Sequence, residues 1–249
     1  MKIAVFVYGE YRDFDILVKT WKFLKDLDCD VYVSTWDYSY QENHILGYFV
    51  EKHVTKEMIL DLIPDAKVMV INEKEHYGEN CGHIPNPQKI AFHSKNCLAM
   101  AKQSGIEYDQ AIWTRTDNYC KFNFSYEEFY SMNKPSTIYG LDHLYLSGPN
   151  EFFIHDVFFI SKYDIMVNLI DTLPLDIMSI HNQLASHILK LNLYVEPIGH
   201  KLDFSTVRGN IQELTSIELL NIHKVREKTF LWNDSLYKHK KKIESENNN

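Results

Sequence analysis

Short apolar runs that alternate with segments of helical period restrict the fold of this chain more than any other feature. Residues 2–8 form the first run and end at Tyr8-Gly9, the pattern of a buried strand followed by a tight turn. Phe14, Leu17, Val18, Trp21 and Leu24 then repeat at helical spacing, with Asp13 as the expected cap. A second strand is expected over residues 30–37 and a third over 66–71, separated by a short helix that Thr55 caps and Pro64 closes. Residues 72–86 read as a loop. The helix that follows has Asn86 as cap, Pro87 in its first turn and Gly105 past its end, with Ile90, Cys97, Leu98 and Ala101 as its inner stripe. It leads into an apolar strand that ends in Arg115-Thr116-Asp117. Such alternation implies βαβ units and a mainly parallel sheet flanked by helices, an α/β fold.

The second half is less regular. Residues 137–141, 157–160 and 193–197 read as strands, and Ile180, Leu184, Ile188 and Leu191 mark an amphipathic helix. Asn210 and Glu213 have capping-box spacing for a further helix, and residues 238–249 read as a solvated tail beyond a single domain over 1–237. At 45% hydrophobic residues and only nine Gly and seven Pro, the chain can bury a large core. A net charge of −8 argues against a nucleic-acid partner. Cys29, Cys81, Cys97 and Cys120 lack any C-x-x-C spacing and read as reduced thiols. The opening run is too short for a signal peptide and no run is long enough to span a bilayer, so a cytoplasmic protein is expected.

The chemistry concentrates at strand ends, where α/β sheets place ligands. Arg115 and Asp117 are two apart and on a regular strand share a face. Arg offers a donor fork to phosphate oxygens, and Asp117 is the candidate ligand of a divalent cation, Mn or Mg. A structural ion pair is the alternative. Tyr8-Gly9-Glu10-Tyr11-Arg12 permits close backbone approach, with Arg12 near a helix start as a phosphate contact. Thr35, Trp36 and Asp37 are candidates for a base or ribose pocket, with Trp36 as plain core the alternative. Asp156 is a candidate acceptor contact or base, or simply a turn residue. His200 and Arg208 are candidates for a second metal ligand and a phosphate clamp, and each also reads as a solvated loop residue. The loop residues His76, His83 and His93 lack metal-ligand spacing. No G-x-G-x-x-G and no G-x-x-x-x-G-K-[ST] occurs, which counts against a dinucleotide enzyme and a P-loop phosphotransferase.

Taken together, the Tyr8-Gly9-x-Tyr11-Arg12 strand end, Val31-Tyr32-Val33-Ser34-Thr35-Trp36-Asp37 and the strand ending in Arg115-x-Asp117 resemble bacterial and viral glycosyltransferases of the GT-A type. The resemblance is to polysaccharide-synthesis proteins related to the WavE lipopolysaccharide family, and it extends to Asp156–Ser161 and the helix with Asn182 and Gln183. It covers roughly residues 2–200. It implies a nucleotide-sugar donor, a glycan acceptor, and Asp117 in the place of the family's DxD carboxylate, in host cytoplasm if the source is viral. Position 115 is Arg where that motif has its other acid, and Asn182-Gln183 stands where relatives often carry an acidic residue. A protein that keeps the fold to bind a nucleotide or glycan without turnover is the competing reading.

Overall fold

A computed structural model describes residues 1–12, 14–43, 48–78, 84–148 and 151–206. The expected cap Asp13, the loop residues Cys81 and His83, Arg208, the helix expected from Asn210 and the tail lie outside the described residues. The first half runs β1 (Ile3–Tyr8), α1 (Phe14–Leu17), α2 (Phe23–Asp26), β2 (Cys29–Trp36), β3 (Tyr38–Asn43), β4 (Tyr48–His53), α3 (Lys56–Leu60), β5 (Lys67–Ile71), α4 (Glu73–Tyr77) and α5 (Asn86–Gln103). The second runs β6 (Gln110–Arg115), β7 (Asn118–Phe122), α6 (Tyr126–Ser131), β8 (Thr137–Gly140), β9 (Tyr145–Gly148), β10 (Glu151–Phe153), β11 (Phe158–Lys162), α7 (Tyr163–Thr172), α8 (Ile180–Lys190), β12 (Tyr194–Pro197) and β13 (Leu202–Thr206).

Seven strands form the central sheet in the order β12-β8-β11-β6-β1-β2-β5, with β11 antiparallel to both its neighbours and every other pairing parallel. This is a mixed, mostly parallel α/β sheet, as the alternation of runs implies. β1 lies near its middle because all six of its residues are apolar or aromatic and can be buried on both faces. Ile3, Val5 and Val7 join one core with Phe14, Trp21, Val33, Ile112 and Phe158. Ala4, Phe6 and Tyr8 join the other with Trp113, Phe159 and the inner faces of α5, α7 and α8.

Several elements differ from the sequence pattern. The first helix is broken: α1 is followed by a 3-10 turn over Val18–Thr20, and α2 begins at Phe23. Phe14, Leu17, Val18 and Trp21 are nevertheless all buried. The break lets the Trp21 indole N–H donate to the carbonyl of Asn118 at 2.7 Å, tying this segment to β7. The expected loop after β5 contains α4, which Asn72 caps by accepting from the Glu75 N–H at 2.8 Å. Thr55 caps α3 as expected, accepting from the Met58 N–H at 3.3 Å. α5 has Pro85 rather than Asn86 at its cap position, so Asn86 is its first helical residue. The β3–β4 hairpin, the β9–β10 and β7–β13 pairs, α6 and α7 were not marked in the sequence pattern. Cys97 and Cys120 are buried, and Cys29 is half-buried. Among the described residues no helix is long and apolar enough to cross a membrane.

Phe159 stacks on Trp113, ring centroids 5.4 Å apart, and its ring covers Gly140 on the next strand. Phe159→Ala should therefore cost about 3–5 kcal/mol. Urea denaturation should show a lower midpoint at unchanged m-value.

Candidate functional site

β1 and β6 are parallel neighbours in register, with Tyr8 opposite Arg115, so both strands end at the same level. From β1 the chain crosses to β2 on one side, whereas from β6 it moves on to strands of the other side. The ends of β1 and β6 thus flank a topological switch point, where connections diverge and leave a crevice. A cleft of about 350 Å³ opens there, with walls from the two strand ends, Trp36 of β2, the first turns of α5, Asp156, and residues 178–181 at the start of α8.

The two strand-end loops are stitched together. The Thr116 N–H donates to the Tyr8 carbonyl at 3.2 Å, and the Thr116 hydroxyl donates to the Glu10 carbonyl. Gly9 sits at φ +115°, a conformation that strains any L side chain, so the tight exit from β1 requires glycine here. Arg12 also has positive φ, +40°, and its N–H donates to Ser39 Oγ at 2.9 Å.

Asp117, only 2% exposed, is the centre of this arrangement. Arg115 grips it with two parallel bonds, Nε to Oδ1 at 2.8 Å and Nη2 to Oδ2 at 2.7 Å. Arg12 Nη1 also donates to Oδ2 from the β1 loop. The pair two positions apart on the sequence therefore bond each other, because β6 ends at Arg115 and Asp117 lies in the turn beyond it. Burial works against the Arg115 charge, but the Asp117 and Asp156 carboxylates outweigh it and raise the guanidinium pKa above its usual range. Arg115 stays cationic at any working pH.

Asp156 is fully buried, and among the described residues neither carboxylate oxygen accepts a hydrogen bond. Its nearest cationic group is Arg115 Nη1 at 3.7 Å, and His181 Nδ1 lies 3.5 Å from Oδ1. Tyr8 holds the backbone of this segment, its hydroxyl donating to the Asp156 carbonyl. Burial leads in pushing the Tyr8 phenol well above its normal pKa, so it remains a donor.

Of the residues singled out from the sequence, Tyr8, Gly9, Arg12, Trp36, Arg115, Asp117 and Asp156 all line this cleft. Thr35 and Asp37 do not. The Thr35 hydroxyl is fully buried, and Asp37 Oδ1 accepts from the Glu73 N–H at 3.2 Å at the start of α4. His200 is exposed in a 3-10 turn over Gly199–Lys201 and is not part of the cleft wall. His93, read as a loop residue, is in fact a buried residue of α5. Lys89, His93 and His181 line the cleft without having been singled out as site residues. Their signal was topological: helices that precede parallel strands begin at the edge where those strands end, so first-turn residues of α5 and α8 belong there.

Among the described residues, those of the cleft do not fit a divalent cation. A hard cation needs several free oxygen ligands, whereas both oxygens of Asp117 already face guanidinium groups. Among the described residues no group of three or more His, Cys, Asp or Glu side chains is placed to hold a metal. Asp117 and His200, the expected ligand pair, do not share this cleft. What the arrangement offers instead is fixed N–H donors: guanidiniums locked by carboxylates, the Lys89 ammonium, and the start of an 18-residue helix.

No protein-family model matches this chain, and no curated protein does. Among solved structures it is similar to a galactosyltransferase, LgtC, in complex with donor and acceptor sugar analogs. That match has 10% identity and a TM-score of 0.42, and covers 78% of this chain and 72% of the other. It is also similar to a nucleoside-diphosphate-sugar pyrophosphorylase from Vibrio cholerae RC9 at 10% identity and a TM-score of 0.40, covering 82% of this chain and 96% of the other. Likenesses at these TM-scores assign no activity to this chain.

His93 gives the cleft a measurable pH signature. Burial, aided by Lys89, pushes its pKa down to about 3, and its Nδ1 pairs with Ser34 Oγ at 2.8 Å. The unfolded chain binds a proton below pH ~6.5 that the folded site refuses, so stability falls as pH drops from about 6.5 towards 3. At pH 5 the loss from this group should be about 2 kcal/mol relative to pH 8. His93→Gln should remove that share of the pH dependence in paired denaturation series.

Proposed function

We propose that this chain is a GT-A-type glycosyltransferase that moves a sugar from a nucleotide-diphosphate donor to a glycan acceptor. The observation that carries this reading is the Arg12–Asp117–Arg115 cluster at the switch point of a mostly parallel sheet. A departing diphosphate develops negative charge, and donors already fixed by their own carboxylates stabilise it without reorganising. Arg12, Arg115 and Lys89 supply those donors. Gly9, Trp36 and Asp156 all line the cleft; in this reading Gly9 lets the donor approach the backbone, Trp36 would meet the nucleoside and Asp156 the sugar. Holding donor and acceptor in one cleft turns their encounter into an oriented, effectively unimolecular step.

The sequence resemblance to WavE-like proteins supports a place in polysaccharide synthesis, in the cytoplasm of a bacterium or of a virus-infected host, with residues 1–237 as the transferase domain. The full engagement of Asp117 by two arginines also favours a second reading: a nucleotide- or glycan-binding protein without turnover.

Thermal stabilisation by UDP-, GDP-, ADP- and CMP-sugars tests the proposal. One of these donors should raise Tm and then be hydrolysed slowly, and Arg12→Ala should weaken its binding by about 10- to 100-fold. No stabilisation by any donor would sink the donor site, and binding without turnover would favour the second reading.

A further inference from the structure

Resting on the transferase reading above, the neighbourhood of Asp156 assigns a role to His181. His181 Nδ1 lies 2.9 Å from the carbonyl oxygen of Ile154. A carbonyl can only accept, so Nδ1 carries the proton, and the basic nitrogen of the neutral ring is Nε2. Asp156 Oδ1 sits 3.5 Å from the same Nδ1–H. This fully buried carboxylate accepts no hydrogen bond among the described residues, so its charge is available to an imidazolium forming beside it. The Phe153 ring stacks on His181 at 4.6 Å and 22°, which fixes the ring plane. His181 lines the same cleft as Arg12, Arg115 and Asp117.

We propose that His181 is the general base of the transfer, its tautomer held by the Ile154 carbonyl, and that Asp156 is the positioning residue that stabilises its charged form. The attacking hydroxyl oxygen bonds to the anomeric carbon as the bond from that carbon to the diphosphate oxygen breaks. The hydroxyl proton passes to His181 Nε2, and the electron pair leaves on the diphosphate beside Arg12 and Arg115. A single displacement of this kind inverts the anomeric configuration.

The titratable groups that face His181 are Asp156 and His155, whose ring centroid lies 5.9 Å away. Behind them stand Arg115, next to Asp156, and Asp142 and Tyr145, next to His155. Burial lowers the pKa of His155 from its ordinary value.

The test uses the full chain with UDP-glucose, UDP-galactose and GDP-mannose, water serving as the acceptor. The released sugar should first appear by NMR as the inverted anomer. His181→Asn keeps a donor for the Ile154 carbonyl but has no basic nitrogen, so it should bind the donor as the wild type does and lower kcat about 100-fold or more. The acid limb of the pH–rate profile should vanish in His181→Asn and move to lower pH in Asp156→Asn. Hydrolysis by His181→Asn within threefold of wild type, or release of the retained anomer, would overturn this assignment alone. Hydrolysis of none of the three donors by the wild type would overturn the transferase reading and the assignment with it.

Discussion

The rest of the cleft depends on one buried carboxylate held between two guanidinium groups. Asp117, at 2% exposure, cannot stay ionised without partners, and Arg115, nearly as buried, cannot stay desolvated without a counter-charge. Removing one member of such a group leaves an uncompensated buried charge, a penalty of about 3–5 kcal/mol. The same bonds join the β1 loop, which carries Arg12, to the β6 loop, which carries Asp117. One interaction therefore fixes the spacing of both cleft walls. It also orients the guanidiniums before any ligand arrives.

The sheet supplies the remaining geometry. Because β1 and β6 are parallel and end together, their exit loops meet, and α5, which runs back towards β6, begins at that edge. Lys89 and His93 come to the cleft from its first turns. The antiparallel β11 reverses direction beside β6, so the segment before it carries Asp156 to the same edge. Residues from six places in the sequence converge without any one of them forming a contiguous motif.

The parts of the fold legible in the sequence were those whose pattern has one physical cause. β1, β2 and β6 are buried along most of their length and so carry apolar runs, and α5 has punctuation at both ends. The first helix misled because Phe14, Leu17, Val18 and Trp21 satisfy helical spacing and are all buried, while the Trp21 bond to Asn118 belongs to a partner 97 residues away. At the site, Arg12, Trp36, Arg115, Asp117 and Asp156 could be found because they stand at strand ends or beside them. Thr35 does not share a cleft with Trp36, since neighbouring residues on a strand point to opposite faces, and Asp37, just past β2, accepts instead from the Glu73 N–H. His181 and Lys89 carry no local signal, because their placement follows from which edge each helix starts at, which only the strand order shows.

Arginines that take the place of a cation predict a specific pattern of nucleotide affinity. Calorimetric titration of UDP, GDP, ADP and CDP into the full chain, once in EDTA and once in manganese, measures it directly. At least one nucleoside diphosphate should bind with a Kd that agrees between the two conditions within about threefold. A tenfold or greater loss of affinity in EDTA would show that Asp117 serves a metal, and no binding in either condition would contradict a diphosphate site altogether.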